Sequence, residues 1–232
     1  MPAEIQPGVL VLDVNETVTD MSPLAGRLED IGLPGRLLPT WFAGVLRDGM
    51  AVTLAGGTVT FAALARDGLR TLLAQEHAAG PDVEAAVEHV LNAFPELPVH
   101  PDVSDGVRIL HAAGHRLVTL TNGSADTTRA VLDRARLTEC FEAHLDVEAA
   151  GGWKPAPVAY AHALRATGVP AEQAMLVAVH PWDIDGAARA GLATAWLRRT
   201  PAPYPSALRP ADREAAGLVD LARQLGPAAP PE

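Results

Sequence analysis

Two kinds of segment alternate along the chain. Short, unbroken apolar runs recur at 9–12, 116–120, 175–179 and 192–197, with a weaker one at 143–146. Such runs are too brief for helices and suit strands buried on both faces, as parallel strands are. Between them lie segments of helical period at 103–113, 125–135 and 157–166. This alternation predicts an α/β fold with a parallel sheet. Three of the runs end in polar clusters, Asp13-Val-Asn15-Glu16-Thr17, Thr121-Asn122-Gly123-Ser124 and His180-Pro181-Trp182-Asp183. Open α/β sheets bind ligands at the carboxyl ends of their strands, so the clusters predict one shared site. Asp185 is expected to open a further helix at Gly186-Ala-Ala-Arg-Ala.

Residues 22–95 break the rhythm. They read as successive amphipathic helices at about 23–31, 40–52, 60–76 and 82–93, punctuated by Gly and Pro and without a strand. The expected organisation is a catalytic core of residues 1–21 and 96–232 with an inserted, all-helical cap of residues 22–95 above the sheet edge. The tail, rich in Pro at 200–205 and after Gly226, is expected to be irregular apart from a helix near 218–225.

Composition narrows what such a fold does. With 48% hydrophobic and 20% charged residues the chain is ordinarily globular, and its formal net charge is −10. An acidic chain lacks the basic surface that neutralises phosphates, so no nucleic acid and no anionic membrane is expected as a partner. One cysteine, Cys140, forms no internal disulfide and no thiol-built zinc site. The first residues show no basic region leading into a long apolar run, and a cytoplasmic location is expected. His111 and His115 have a ligand-like spacing but lack the Glu of a zinc hydrolase motif, so no metal centre is expected there.

The 18 basic residues divide into 17 Arg and one Lys, Lys154. That lysine precedes Pro155 and the helical segment at 157–166, close enough to reach back to the strand edge. A compact ammonium kept where arginine is used elsewhere points to a site with no room for a guanidinium. Asp13, at a strand end, has the chemistry of a nucleophile that forms an ester for water to hydrolyse, and a neighbouring ammonium would hold it ionised. Plainer roles exist for each residue: a turn cap at Asp13, a surface cation at Lys154, a tight turn at Thr121-Asn122-Gly123, a turn carboxylate at Asp183, a packed ring at His180.

Four segments, Leu12-Asp-Val-Asn-Glu-Thr17, Leu120-Thr-Asn-Gly-Ser124, Trp153-Lys-Pro155 and Trp182-Asp-x-x-Gly186, occur together in this order. In order and spacing the chain resembles the haloacid dehalogenase superfamily over about residues 9–198, and most its 2-haloacid dehalogenase branch. The resemblance implies a Rossmann-like core with a helical cap and Asp13 as nucleophile, with Thr17 in the same motif. It implies that Thr121 and Asn122 contact the nucleophile and the leaving halide or substrate carboxylate. Lys154 becomes the cation of Asp13, and Asp183 the residue that orients Lys154 and helps activate water. His180 stands where these dehalogenases more often carry Asn, and would serve as a base for ester hydrolysis. Asn15 and Trp182 join the expected substrate contacts.

The chain departs from the family at informative places. The superfamily's phosphatases carry a second Asp at the position of Asn15, to protonate an alkoxide. Asparagine cannot, whereas a halide leaves without a proton. Val179 replaces an acid of the usual metal site. In the cap, Trp41 and Phe42 are expected substrate contacts, and Phe42 takes the place of the family's halide-binding arginine. Arg47 lies on a different helix face. The expectation is a hydrolase of a small 2-halocarboxylate that needs no metal or cofactor, compatible with a homodimer. The alternatives are a strained-ring acid hydrolase, a Mg²⁺-dependent phosphatase and a degenerate binding protein.

Overall fold

The computed structural model describes residues 7–76 and 82–228. Its strands are β1 (Val9–Leu12), β2 (Arg116–Thr121), β3 (Ala143–Asp146), β4 (Ala174–Ala178), β5 (Ala193–Leu197) and β6 (Arg213–Ala215). They form one wholly parallel sheet in the order β3-β2-β1-β4-β5-β6. Helices α1 (Leu24–Asp30), α2 (Leu38–Leu54), α3 (Phe61–Gln75) and α4 (Val83–Leu91) follow β1, and α5 (Val103–Ala112) leads into β2. The rest are α6 (Ala125–Arg134), α7 (Val147–Ala150), α8 (Pro157–Thr167), α9 (Pro181–Arg189) and α10 (Leu218–Leu225).

The central strand shows why its sequence is an unbroken apolar run. Val11 pairs in register with Val118 on one side and Leu176 on the other. Val9 and Val11 pack into the layer that contains Tyr160 and Ala163 of α8 and Ile184 of α9. Leu10 and Leu12 face the opposite layer, with Val107 and Leu110 of α5 and Leu221 of α10. A strand with period two and a helix layer on each face has no polar position to spare.

The inserted helices share the first of these layers. Trp41, Val45 and Leu69 belong to the same apolar cluster as Val11 and Tyr160. Trp153, beside Lys154, fastens the two parts: its indole Nε1 donates to the Val59 carbonyl at 2.9 Å and its backbone N–H to Thr53 Oγ1 at 3.1 Å. Gly49 of α2 packs so close to the Trp153 ring that a Cβ would collide with it. Helix α2 and the Val59 segment are thereby fastened to the loop that carries Lys154.

Three features differ from the expectations. Helix α9 starts at Pro181, whose fixed φ suits a first helical position, and Asp185 lies inside it, accepting from Arg189 Nε at 2.7 Å. The four-residue α7 was not expected; Asp146 caps it by accepting from Ala149 N–H at 3.0 Å. Strand β6 has only three residues, of which Arg213 and Glu214 are charged, so no apolar run marks it. Residues 229–232 of the expected irregular tail lie outside the described residues. Among the described residues no helix is long and apolar enough to cross a membrane.

Candidate active site

The site begins where β1 ends. The Asp13 N–H donates to the Val177 carbonyl at 3.0 Å, the last rung before the side chain clears the sheet. The chain then turns sharply. The amides of Thr17, Val18 and Thr19 converge on the Val14 carbonyl at 3.2, 2.8 and 2.9 Å, with Glu16 in the left-handed region at φ 63°. This turn returns Thr17 to Asp13: its hydroxyl donates to Asp13 Oδ2 at 2.6 Å and accepts from the Val179 N–H at 3.1 Å.

Lys154 occupies one flank of Asp13. Its Nζ lies 2.7 Å from Asp13 Oδ1 and 2.7 Å from Asp183 Oδ2, and the side chains of Lys154 and Asp183 are wholly buried. Asn122 fixes the lysine's backbone, accepting from its N–H at 2.9 Å and donating to its carbonyl at 3.3 Å. The Tyr160 hydroxyl donates to Asp183 Oδ1 at 2.7 Å. Helix α9 crosses so near that a Cβ on Gly186 would come within 2.5 Å of Pro155 and of the Tyr160 hydroxyl. That contact accounts for the glycine in Trp182-Asp-x-x-Gly186.

His180 occupies the other flank. Its Nδ1 lies 3.1 Å from Asp13 Oδ2 and its Nε2 2.9 Å from Glu16 Oε2. The ring stacks on Trp182 with centroids 5.0 Å apart, and Phe42 lies 6.3 Å away on the cap side.

Charge and burial compete throughout. Burial pushes the Asp13 carboxyl up, but Lys154 and His180 outweigh it and hold the group well below the usual carboxylate range. Burial pushes the Lys154 ammonium down, and the two carboxylates that flank it carry it above its ordinary value. For Asp183, burial raises the pKa and Lys154 offsets this only in part. Burial also opposes the charge on His180, yet hydrogen bonds to Asp13 and Glu16 raise it to about 9. At neutral pH Asp13 is therefore an anion between an ammonium and an imidazolium.

Asp13, Thr17, Lys154, Asp183 and His180 thus form one connected network, with Trp182 and Phe42 against the imidazole. Asn15 and Thr121 line a cavity of about 270 Å³ beside the network. A second cavity, of about 470 Å³, opens on the other side and is lined by Glu16 and His180 together with His100 and Arg199. Trp41 is not brought to either. Its indole donates to the Ala65 carbonyl at 3.1 Å and its ring meets Phe94 edge-on, so it packs inside the helical insertion. Adjacent helical positions point about 100° apart, which is why Phe42 faces the site and Trp41 does not. Arg47 is bound to Asp48 at 2.7 Å, with 75% of its side chain exposed, and stays away from Asp13.

Two participants had no role in the sequence reading. Tyr160 lies on the inner face of α8, and only its position six residues after Lys154 in a helix packed on the sheet hints at it. Glu16 was part of the first motif, but its approach to His180 depends on the left-handed turn, which no local pattern announces.

Residues 8–191 match the family of haloacid dehalogenase-like hydrolases. Among curated relatives, an (S)-2-haloacid dehalogenase of Pseudomonas sp. (strain YL) is 28% identical over 82% of each chain. The enolase-phosphatase E1 of Nocardia farcinica is 32% identical over 92% of this chain and 97% of its own. The match to haloacetate dehalogenase H-2 of Moraxella sp. (strain B), 31% identical, spans only 50% of this chain and 52% of that one. The solved structure of an L-2-haloacid dehalogenase from Xanthobacter autotrophicus superposes with a TM-score of 0.83 at 25% identity, over 94% of this chain and 97% of the other. With a match across 8–191 that takes in the end of β1, the lysine loop and the Asp183 helix, this chain belongs to the haloacid dehalogenase-like hydrolases.

Proposed function

We propose that the protein hydrolyses the carbon–halogen bond of a small 2-halocarboxylate through an ester on Asp13. The observation that carries this reading is an anionic Asp13 flanked by two cations, with an amide, Asn15, where an acid would be needed to protonate a poor leaving group. A halide departs with its electron pair and needs no proton, so the chemistry asks only for an aimed, ionised carboxylate.

In the first half-reaction one Asp13 oxygen attacks carbon 2, the carbon–halogen bond breaks and halide is released, inverting that carbon. Esterification removes the negative charge of Asp13 and with it one of the two carboxylates that keep His180 protonated. The imidazolium then releases its proton by way of Glu16, whose side chain is 44% exposed beside the larger cavity. In the second half-reaction neutral His180 takes a proton from water as the water oxygen attacks the Asp13 carboxyl carbon. The tetrahedral intermediate collapses, the imidazolium protonates the departing 2-hydroxy acid oxygen, and the Asp13 carboxyl proton returns to the imidazole. Lys154 and Thr17 supply donors for the carboxyl oxygens throughout.

Phosphoryl transfer is the second reading, because one relative of nearly full length is a phosphatase. The donor set fits a divalent cation poorly: the Lys154 ammonium bridges the two carboxylates that would hold it, and Val179 brings no third. A single turnover of 2-chloropropionate in H₂¹⁸O, with mass analysis of the Asp13 peptide, tests the proposal. One ¹⁸O on Asp13 and released chloride are expected. Turnover of p-nitrophenyl phosphate with Mg²⁺, without halide release from any haloacid, would overturn it.

A further inference from the structure

The smaller cavity has no part in the chemistry just described. It starts beside the nucleophile, since Asn15 and Thr121 line it from the ends of β1 and β2, and it runs between the core and the inserted helices to Phe61 and Phe94. Its lining is mostly apolar and includes no Lys, Arg or His. Its single charged residue, Glu148, is exposed. A carboxylate is therefore not what it receives, because a buried anion without a cation or donor cluster is strongly disfavoured.

The polar groups of the wall give a second indication. The Thr121 hydroxyl accepts from the Gly123 N–H at 2.9 Å, that of Thr128 donates to the Ser124 carbonyl at 3.0 Å, and that of Thr60 accepts from the Ala63 N–H at 3.2 Å. Thr19, 2% exposed, is sealed within the wall with its Oγ1 out of a ligand's reach.

We infer that this cavity takes the substituent on carbon 2 of the substrate, and that the substituent is an uncharged, largely apolar chain of several carbons. This rests on the carbon–halogen reading above and sharpens it to a class of substrate longer than haloacetate or 2-halopropionate. A volume of about 270 Å³ far exceeds the space of a hydrogen or a methyl group. Each methylene moved from water into such a wall should raise kcat/KM by roughly three-fold, the effect of burying about 25 Å² or more of apolar surface.

The test is a series run on the full chain: chloroacetate, 2-chloropropionate, 2-bromobutyrate, 2-bromohexanoate and the charged analogue 2-bromosuccinate, with 2-bromopropionate to separate the halogen's effect. Expected is a rise in kcat/KM of at least about ten-fold from 2-bromopropionate to 2-bromohexanoate, with 2-bromosuccinate the poorest of the bromides. Thr127→Phe, which narrows the cavity from a half-buried position on α6, should reverse the order of the two alkyl bromides. A flat or falling series, or preference for 2-bromosuccinate, with chloroacetate still turned over, would overturn this inference alone. Absence of halide release from every member would overturn the carbon–halogen reading itself.

Discussion

The two cations that flank Asp13 differ in one respect, their access to water. Lys154 and Asp183 are sealed with no exposed side-chain surface, and Tyr160 closes the far side of Asp183. His180 retains 13% exposure and connects through Glu16 to an open cavity. A sealed ammonium between two carboxylates cannot trade its proton with solvent and acts as a fixed charge. An imidazole beside a solvated carboxylate can, and histidine is the side chain whose proton is easiest to move near neutral pH. On the proposed mechanism, one flank therefore supplies permanent electrostatics and the other a proton that can come and go.

The largest effect should follow from breaking the sealed flank. Lys154→Met leaves Asp183 an uncompensated buried carboxylate and Asp13 with His180 alone of its two cations, and a loss of about 3–5 kcal/mol in unfolding free energy is expected by urea titration. Halide release should fall at least about a thousand-fold. Lys154→Arg should rescue neither, since the guanidinium has no space between the two carboxylates; full activity in that variant would show that the flank is not tightly packed.

His180→Asn addresses the open flank and should cost about two to three orders of magnitude in turnover, with the Asp13 ester accumulating to a level visible by mass spectrometry. A fall in rate with no ester would assign His180 to the first half-reaction instead. The same residue sets a pH signature. Its folded pKa is raised to about 9, above the ordinary 6.5, so its contribution to stability is complete below about 6.5 and is lost as pH rises through about 9. Unfolding free energy should decline across that window in the native protein and decline less in His180→Asn. Tyr160→Phe should have a smaller effect, about 1–3 kcal/mol, by removing one donor to a buried carboxylate.

The contrast between the flanks also explains how much of the molecule could be read from its sequence. β1 was legible because two helix layers leave no polar position in Val9–Leu12, and Lys154 because a single lysine among arginines marks a space that only an ammonium fits. β6 was not, because its pairing to β5 requires no apolar side chains at Arg213 and Glu214. Helical period alone could not separate Trp41 from Phe42, since both are buried and only the direction each faces tells cap interior from site. Asn122 was assigned to the nucleophile or the substrate, and its side-chain hydrogen bonds go to the Lys154 backbone, a partner 32 residues away that spacing does not reveal. Tyr160 and Glu16 depend likewise on tertiary placement, one on a helix face and one on a backbone turn.

Glu16→Gln makes the gentlest change and separates the two flanks most cleanly. The amide can still accept from His180 Nε2, so the geometry persists while the charge goes. Because Glu16 is partly exposed, solvent screening limits its effect on unfolding free energy to about 1 kcal/mol or less. Removing that charge withdraws one of the groups that favour the imidazolium, so the NMR titration midpoint of His180 should lie lower than in the native protein while Asp13 keeps it above the ordinary range. Turnover should drop by up to about ten-fold as the route to solvent is lost, and the Lys154 flank should be unaffected. An unchanged midpoint would mean that Asp13 alone holds the proton, and the open flank would then lack the relay that distinguishes it from the sealed one.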